Sequence, residues 1–371
     1  MNRGKAWTIG IVTVMTAAAL LLGSWQPAAA KPVQWKMTST WPAGIILIEA
    51  DRHFYKLVNE LAEGELNITF FDGGTLVPPF ELFDAVSKGT VEAGGNWPSY
   101  WSGKDTAFDL LGSCALGLTN IDYMIWYYRG GGYELYQEVF GKFGMVFFPV
   151  MVTPMESGIR GHKPVRSLDD YKGLKVRISG RMQGEIMKQL GAAQVNLAGG
   201  EVYQALEKGV IDAGEFGAPS IDWGMGFQEV TEYWAAPGWH QPSSVNGVMI
   251  NKKAFDALPK RLQTLIRTAA EATMSWMFSY LEHESYSATE KFIESGVEVT
   301  RLPDADLEKL QTMAQNLMVE YARENPLYAK VAYSQMKFLS ESNKWREVSS
   351  PYSYGRNVDV PILDTLKELA E

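Results

Sequence analysis

The sequence predicts an α/β protein of two lobes joined by a long helix, on three observations. Short alternating-hydrophobic runs are separated by helical runs. A helix–glycine–strand segment recurs at an offset of 120 residues. One helical pattern continues without Pro or Gly from Pro259 to about Ser295. At 371 residues, 46% hydrophobic and 21% charged, the chain is long enough for two cores and has an ordinary folded composition. Its net charge of -9 argues against a nucleic-acid partner, which needs a basic surface. A single cysteine, Cys114, excludes a disulfide framework and reads as a small buried hydrophobe.

Residues 1–30 read as a secretory signal rather than part of the fold. Arg3 and Lys5 precede an uncharged apolar stretch from Ile9 to Leu22, and Ala28-Ala29-Ala30 offers a cleavage site. The stretch is too short to span a bilayer comfortably, which sets a retained anchor aside. Cleavage after Ala30 leaves 341 of the 371 residues and removes two cations, so the net charge of -9 becomes -11. The mature chain is expected in the periplasm.

The mature chain opens with Val33–Thr38, which alternates with period two and breaks at the loop Ser39–Gly44. Helical spacing follows from Ile45 to Glu63 and stops at Gly64. Leu66–Phe71 is the next strand, ended by Asp72-Gly73-Gly74. This rhythm predicts a mainly parallel sheet. In the internal echo, Asp84–Gly95 matches Gln204–Glu215 as helix end, glycine cap and short strand. The turns that follow, Gly94-Gly95-Asn96-Trp97 and Gly214-Glu215-Phe216-Gly217, would lie at equivalent strand ends and face one cleft. The run from Pro259 is on the order of 50 Å long at about 1.5 Å per residue, enough to lie along both lobes. Further helices are expected over Asp304–Glu324 and from about Val360.

Together these features resemble the periplasmic solute-binding proteins of TRAP transporters. The resemblance rests on the signal segment, the duplicated helix–glycine–strand, Gly199–Leu206, Asp212–Glu215, Leu174–Ile178 and the spanning helix. Tyr100–Asp105 and Pro237-Gly238-Trp239 are similar to the branch that binds 2-oxo acids or lactate. The resemblance implies a two-lobed periplasmic binding protein fold. Lobe I would comprise residues 31–156 and about 242–280, and lobe II residues 157–241 and about 281–325. Residues 326–371 would form an extra C-terminal helical segment serving dimerisation. The implied function is capture of a small monocarboxylate, such as pyruvate or lactate, for delivery to the membrane permease.

Arg177 is the leading ligand residue. It ends an apolar strand ahead of a turn into a helix, where a guanidinium can grip a carboxylate through two parallel hydrogen bonds. The Arg of this motif does so in the resembled family; Arg181 is the competing position. The resemblance also implies a bridging cation held by Glu156, Glu215, the Phe216 carbonyl and Gln241, with acid and amide exchanged at the first and last positions relative to the family pattern. Oxygen ligands alone favour Ca²⁺ or Na⁺. With two glutamates, a ligand carboxylate and Arg177, calcium brings the site to neutrality and sodium leaves it at -1. Trp97, Tyr100, Trp101 and Trp239 are expected as aromatic walls. Tyr100 is a possible hydroxyl donor, and Asn96 and Asn246 further donors. Four scattered histidines show no metal-ligand spacing. The rival functions are an exported carboxylate-processing enzyme using Glu156 and Glu215 as paired carboxylates, and a sensing subunit of a membrane receptor. No GxSxG, phosphate loop or Cys–His pair supports the enzyme.

Overall fold

The computed structural model describes residues 31–350. The expected signal segment and the helix from about Val360 lie outside the described residues. Among the described residues, eleven strands form two sheets. They are β1 (Val33–Ser39), β2 (Leu66–Phe71), β3 (Ala93–Asn96), β4 (Met145–Val152), β5 (Ile159–Gly161), β6 (Lys175–Arg177), β7 (Ala193–Val195), β8 (Ala213–Gly214), β9 (Tyr233–Ala236), β10 (Val245–Asn251) and β11 (Glu298–Arg301). The first sheet has the order β2-β1-β3-β10-β4 and the second β11-β9-β5-β8-β6-β7.

Both sheets are mixed, with parallel pairing at two of four strand pairs in the first and three of five in the second, so the parallel character expected is interrupted by antiparallel crossings. β1 is parallel to β2 and β3, and β6 is parallel to β7 and β8. By contrast β10 is antiparallel to β3 and β4, and β5 to β8 and β9. The cause is the connectivity. The chain leaves the first sheet at β4 and enters the second as β5, then returns from β9 into β10. Each entering strand arrives from the other lobe and runs against its neighbours.

The internal echo is structural. Helix Leu82–Ser87 precedes β3, and helix Val202–Glu207 precedes β8. Gly89 and Gly209 both take positive φ. The amides of Thr90 and Val91 donate to the Ala85 carbonyl as those of Val210 and Ile211 donate to Ala205. In register, Met37 opposes Ala93 as Val176 opposes Ala213. Two similar units therefore end their strands toward the same cleft.

The long helix spans Lys260–Glu294, with Pro259 at its N-cap and Gly296 following at positive φ. Its 35 residues make about 52 Å. It packs on β4 and helix Ile48–Leu61 at one end and on helix Pro219–Gly224 further along. Asp304–Glu324 is helical as expected. Pro326 then starts a 24-residue helix, Pro326–Ser349, capped by the Asn325 side chain. This last helix anchors on the first lobe through Ser334 with Trp126, Lys330 with Glu138, and Arg346 with Asp122. No described helix is long and apolar enough to cross a membrane.

Candidate functional site

The two crossing segments, 153–158 and 237–244, run side by side between the lobes. The Thr153 amide donates to Ser244 O at 2.9 Å, the Glu156 amide to Gln241 O at 3.2 Å, and Ser243 Oγ to Thr153 O at 2.8 Å. Gly238 makes the approach possible, since a Cβ there would lie 2.0 Å from the Glu156 carbonyl oxygen. The β6–β8 ladder adds the third component: the Glu215 amide donates to Arg177 O at 3.1 Å, which places both side chains at one strand end. Between the crossings and the strand end lies a small cavity of about 30 Å³. It is lined by Arg177, Glu156, Glu215, Phe216, Gln241 and Asn246, with Trp41, Trp97 and Tyr100 as aromatic walls.

Arg177 is 2% exposed and Glu215 1%, so their charges meet with little water to screen them. Arg177 Nη1 donates to Glu215 Oε1 at 2.9 Å and to Glu215 O at 2.8 Å, while Nε and Nη2 both donate to Leu197 O. Four of the five guanidinium N–H groups are thus committed, and the Tyr100 hydroxyl is a further hydrogen-bond partner of the guanidinium. The bidentate grip expected of Arg177 therefore requires Glu215 Oε1 to yield its place on Nη1. The Ser179 amide also donates to Glu215 Oε1, at 2.6 Å, whereas Glu215 Oε2 has no hydrogen-bond partner among the described residues.

Burial raises the Glu215 carboxyl above its usual range, against the pull of Arg177. It pushes Glu156 well above, and the charge of Asp222 adds to the effect. The Tyr100 hydroxyl is likewise raised by burial, opposed by Arg177.

His240, fully buried, completes the cluster. Its Nε2 lies 2.8 Å from Glu156 Oε2 and 4.0 Å from Glu215 Oε2, and its Nδ1 has no partner among the described residues. Burial depresses its pKa, leaving the ring neutral at neutral pH. Glu156, Glu215 and His240 each offer a ligand atom, all within 4.8 Å of one another, an arrangement that can hold a metal ion. Gln241 Oε1 accepts from Ser244 Oγ at 2.8 Å.

Two expected ligand residues do not reach the cavity. Asn96 donates its amide to the carbonyls of Gly94 and Gly247 and accepts from Trp101 Nε1 at 2.8 Å, tying β3 to β10. Trp239 points into the core, with Nε1 3.4 Å from the Tyr171 hydroxyl. Trp101 is buried with Phe83. Two residues that sequence reasoning passed over do contribute. Trp41 sits in the loop after β1, 5.6 Å from Tyr100 between ring centroids. His240 was overlooked because spacing rules compare histidines with one another, whereas its partners lie on other segments; its position beside Gln241 was the available signal.

The family model for DctP, bacterial extracellular solute-binding protein, family 7, matches residues 37–325. The chain is 31% identical over 318 residues to the monocarboxylate 2-oxoacid-binding periplasmic protein of a Nostoc species, covering 85% of this chain and 87% of that one. Among solved structures it is similar to a TRAP transporter solute-binding protein of Bordetella bronchiseptica, with a TM-score of 0.82, 29% identity and coverage of 92% and 98%. That protein is a mixed-occupancy dimer with copurified calcium and picolinate. It is also similar to a periplasmic counterpart of Pseudoalteromonas atlantica, with bound sodium and pyruvate, at a TM-score of 0.81, 29% identity and coverage of 86% and 97%.

Proposed function

We propose a ligand and a mode of capture for this chain, which belongs to the bacterial extracellular solute-binding proteins of family 7 and is a periplasmic solute-binding protein of the TRAP-transporter type. The family is one of transport proteins, not enzymes. The ligand is a small 2-oxo or 2-hydroxy monocarboxylate of the pyruvate or lactate kind, bound with a cation and delivered to the membrane permease subunits. The observation that carries this reading is a buried guanidinium beside two buried carboxylates, at the meeting point of both lobes.

Arg177 supplies the grip. The ligand carboxylate takes the contact that the guanidinium now gives to Tyr100, and a second contact on Nη1 as Glu215 Oε1 withdraws. The orphaned Glu215 Oε2, Glu156 and the imidazole of His240 fit a cation, with Gln241 and the Phe216 carbonyl as further oxygen donors at the cavity wall. A bound cation would supply positive charge against the two glutamates and accept ligand oxygens. Trp41, Trp97 and Tyr100 exclude water and bound the ligand's size. Hinge closure about the crossing segments gives capture and release. The exposed Tyr333, Trp345 and Val348 of helix Pro326–Ser349 form the face we assign to a homodimer contact.

The test is thermal unfolding of the mature protein with pyruvate, lactate and longer 2-oxo acids, before and after chelation. Stabilisation that depends on both acid and cation supports the reading. No stabilisation by any of these acids, or consumption of the acid, contradicts it.

A further inference from the structure

The imidazole in the glutamate cluster changes the cation the site selects. We propose that His240 is a metal ligand through Nε2 and that, with Glu156 and Glu215, it forms a mixed nitrogen–oxygen site preferring a divalent d-block cation of the Zn²⁺, Co²⁺ or Mn²⁺ class over Ca²⁺ or Na⁺. This inference rests on the cation-assisted reading above and concerns the ion, not the acid.

Three observations carry it. First, the donor atoms converge from separate segments: Glu156 from one crossing, His240 from the other, and Glu215 from the end of β8. Second, Glu215 Oε2 is an orphaned oxygen, buried with its residue 1% exposed, on the side facing His240 Nε2. A buried carboxylate oxygen without a donor is costly unless a cation meets it.

Third, the donors stand close enough together to share one ion, and one of them is an imidazole nitrogen. Donors about 2.1 Å from a metal lie about 3.0 Å apart at right angles and about 4.2 Å apart when opposed. His240 Nε2 is 2.8 Å from Glu156 Oε2 and 4.0 Å from Glu215 Oε2, close to both values. Seven-coordinate Ca²⁺, with ligands at about 2.3–2.6 Å and equatorial neighbours about 72° apart, sets adjacent donors about 2.7–3.1 Å apart, so the spacing admits either class of ion and the donor atoms decide. The selection comes from the donor type. Imidazole nitrogen suits d-block ions, and calcium and sodium take oxygen. An oxygen-only donor set, as the sequence implied, would have carried no such preference. With Nε2 turned to the two carboxylates, the orphaned Nδ1 is left to carry the ring proton.

The competing account is that His240 donates a hydrogen bond to Glu156 and only the carboxylates bind the ion. Three measurements on the untagged mature protein decide between them. Metal-stripped protein is titrated with Zn²⁺ and with Ca²⁺. Co²⁺ loading is followed by visible d–d absorption. Pulsed electron paramagnetic resonance of the Mn²⁺-loaded wild type looks for ¹⁴N modulation from a bound imidazole. The expected results are tighter binding of Zn²⁺ than Ca²⁺, cobalt absorption, ¹⁴N modulation, and loss of at least about tenfold in Zn²⁺ affinity in His240→Gln. Ca²⁺ binding as tight as Zn²⁺ with no ¹⁴N modulation overturns the inference, yet leaves the cation-assisted capture of an acid standing. Acid binding that ignores every ion removes both. The wild-type spectra decide the point even where His240→Gln is unstable.

Discussion

Arg177 and Asn96 are both buried polar residues at strand ends, and their hydrogen bonds separate their roles. Arg177 faces the cavity with bonds that Tyr100 and Glu215 can release to a ligand. Truncating such a buried charged contact costs about 2–5 kcal/mol. Arg177→Ala should therefore abolish the thermal shift given by the acid, while circular dichroism shows an intact fold. Asn96 has its polar atoms committed to Gly94, Gly247 and Trp101. Asn96→Ala should lower stability by about 1–3 kcal/mol in urea unfolding and leave acid affinity nearly unchanged when binding is complete. Asn246→Ala, at the cavity wall, should show the reverse. Arg177 was legible in the sequence because a motif marks it. Asn96 and Trp239 were misplaced because sequence order fixes which strand end a residue occupies, not the face toward which its side chain turns.

The elements most exposed to disruption are the paired crossing segments, whose contact depends on Gly238. A methyl group there meets the Glu156 carbonyl oxygen at 2.0 Å, so Gly238→Ala should separate Glu156 from Gln241 and His240. The expected outcome is weaker metal binding by calorimetry, with stability reduced by about 1 kcal/mol or more. At the C-terminal end, helix Pro326–Ser349 leaves Trp345 and Val348 69% and 79% exposed. If that face joins two protomers, Trp345→Glu should convert a dimer to a monomer in light scattering without altering acid affinity. At this scale the sequence was informative where periodicity is long or repeated. The helices Lys260–Glu294 and Asp304–Glu324 and the 120-residue echo follow the pattern expected. The direction of β5 and β10 was not legible, because it depends on which lobe the chain has just left.

Across the whole molecule, buried acids set the response to pH. Asp51 and Asp109 are each pushed up to about 7 by burial, and Glu156 and Glu215 are also raised. The folded chain therefore binds protons more tightly than the unfolded one, and the stability from these groups is lost as pH rises toward and past about 7. His240, depressed, opposes this by favouring the unfolded chain below about pH 6.5. With Asp222 also raised by burial, five buried acids against the depressed His240 and His53 predict that the metal-free, ligand-free protein melts higher near pH 6 than near pH 8, in a scan across about pH 5–8. Asp51→Asn should flatten part of that slope. Acidity overall, with net charge -9, is compatible with capture of an anion because the attraction is local, one guanidinium in a closed cleft. The measurement that bears most directly on this account is isothermal titration of pyruvate and lactate into the metal-loaded mature protein and its Arg177→Ala variant. The account predicts saturable one-to-one binding of at least one acid by the wild type and its loss in the folded variant. Undiminished binding by Arg177→Ala would contradict it.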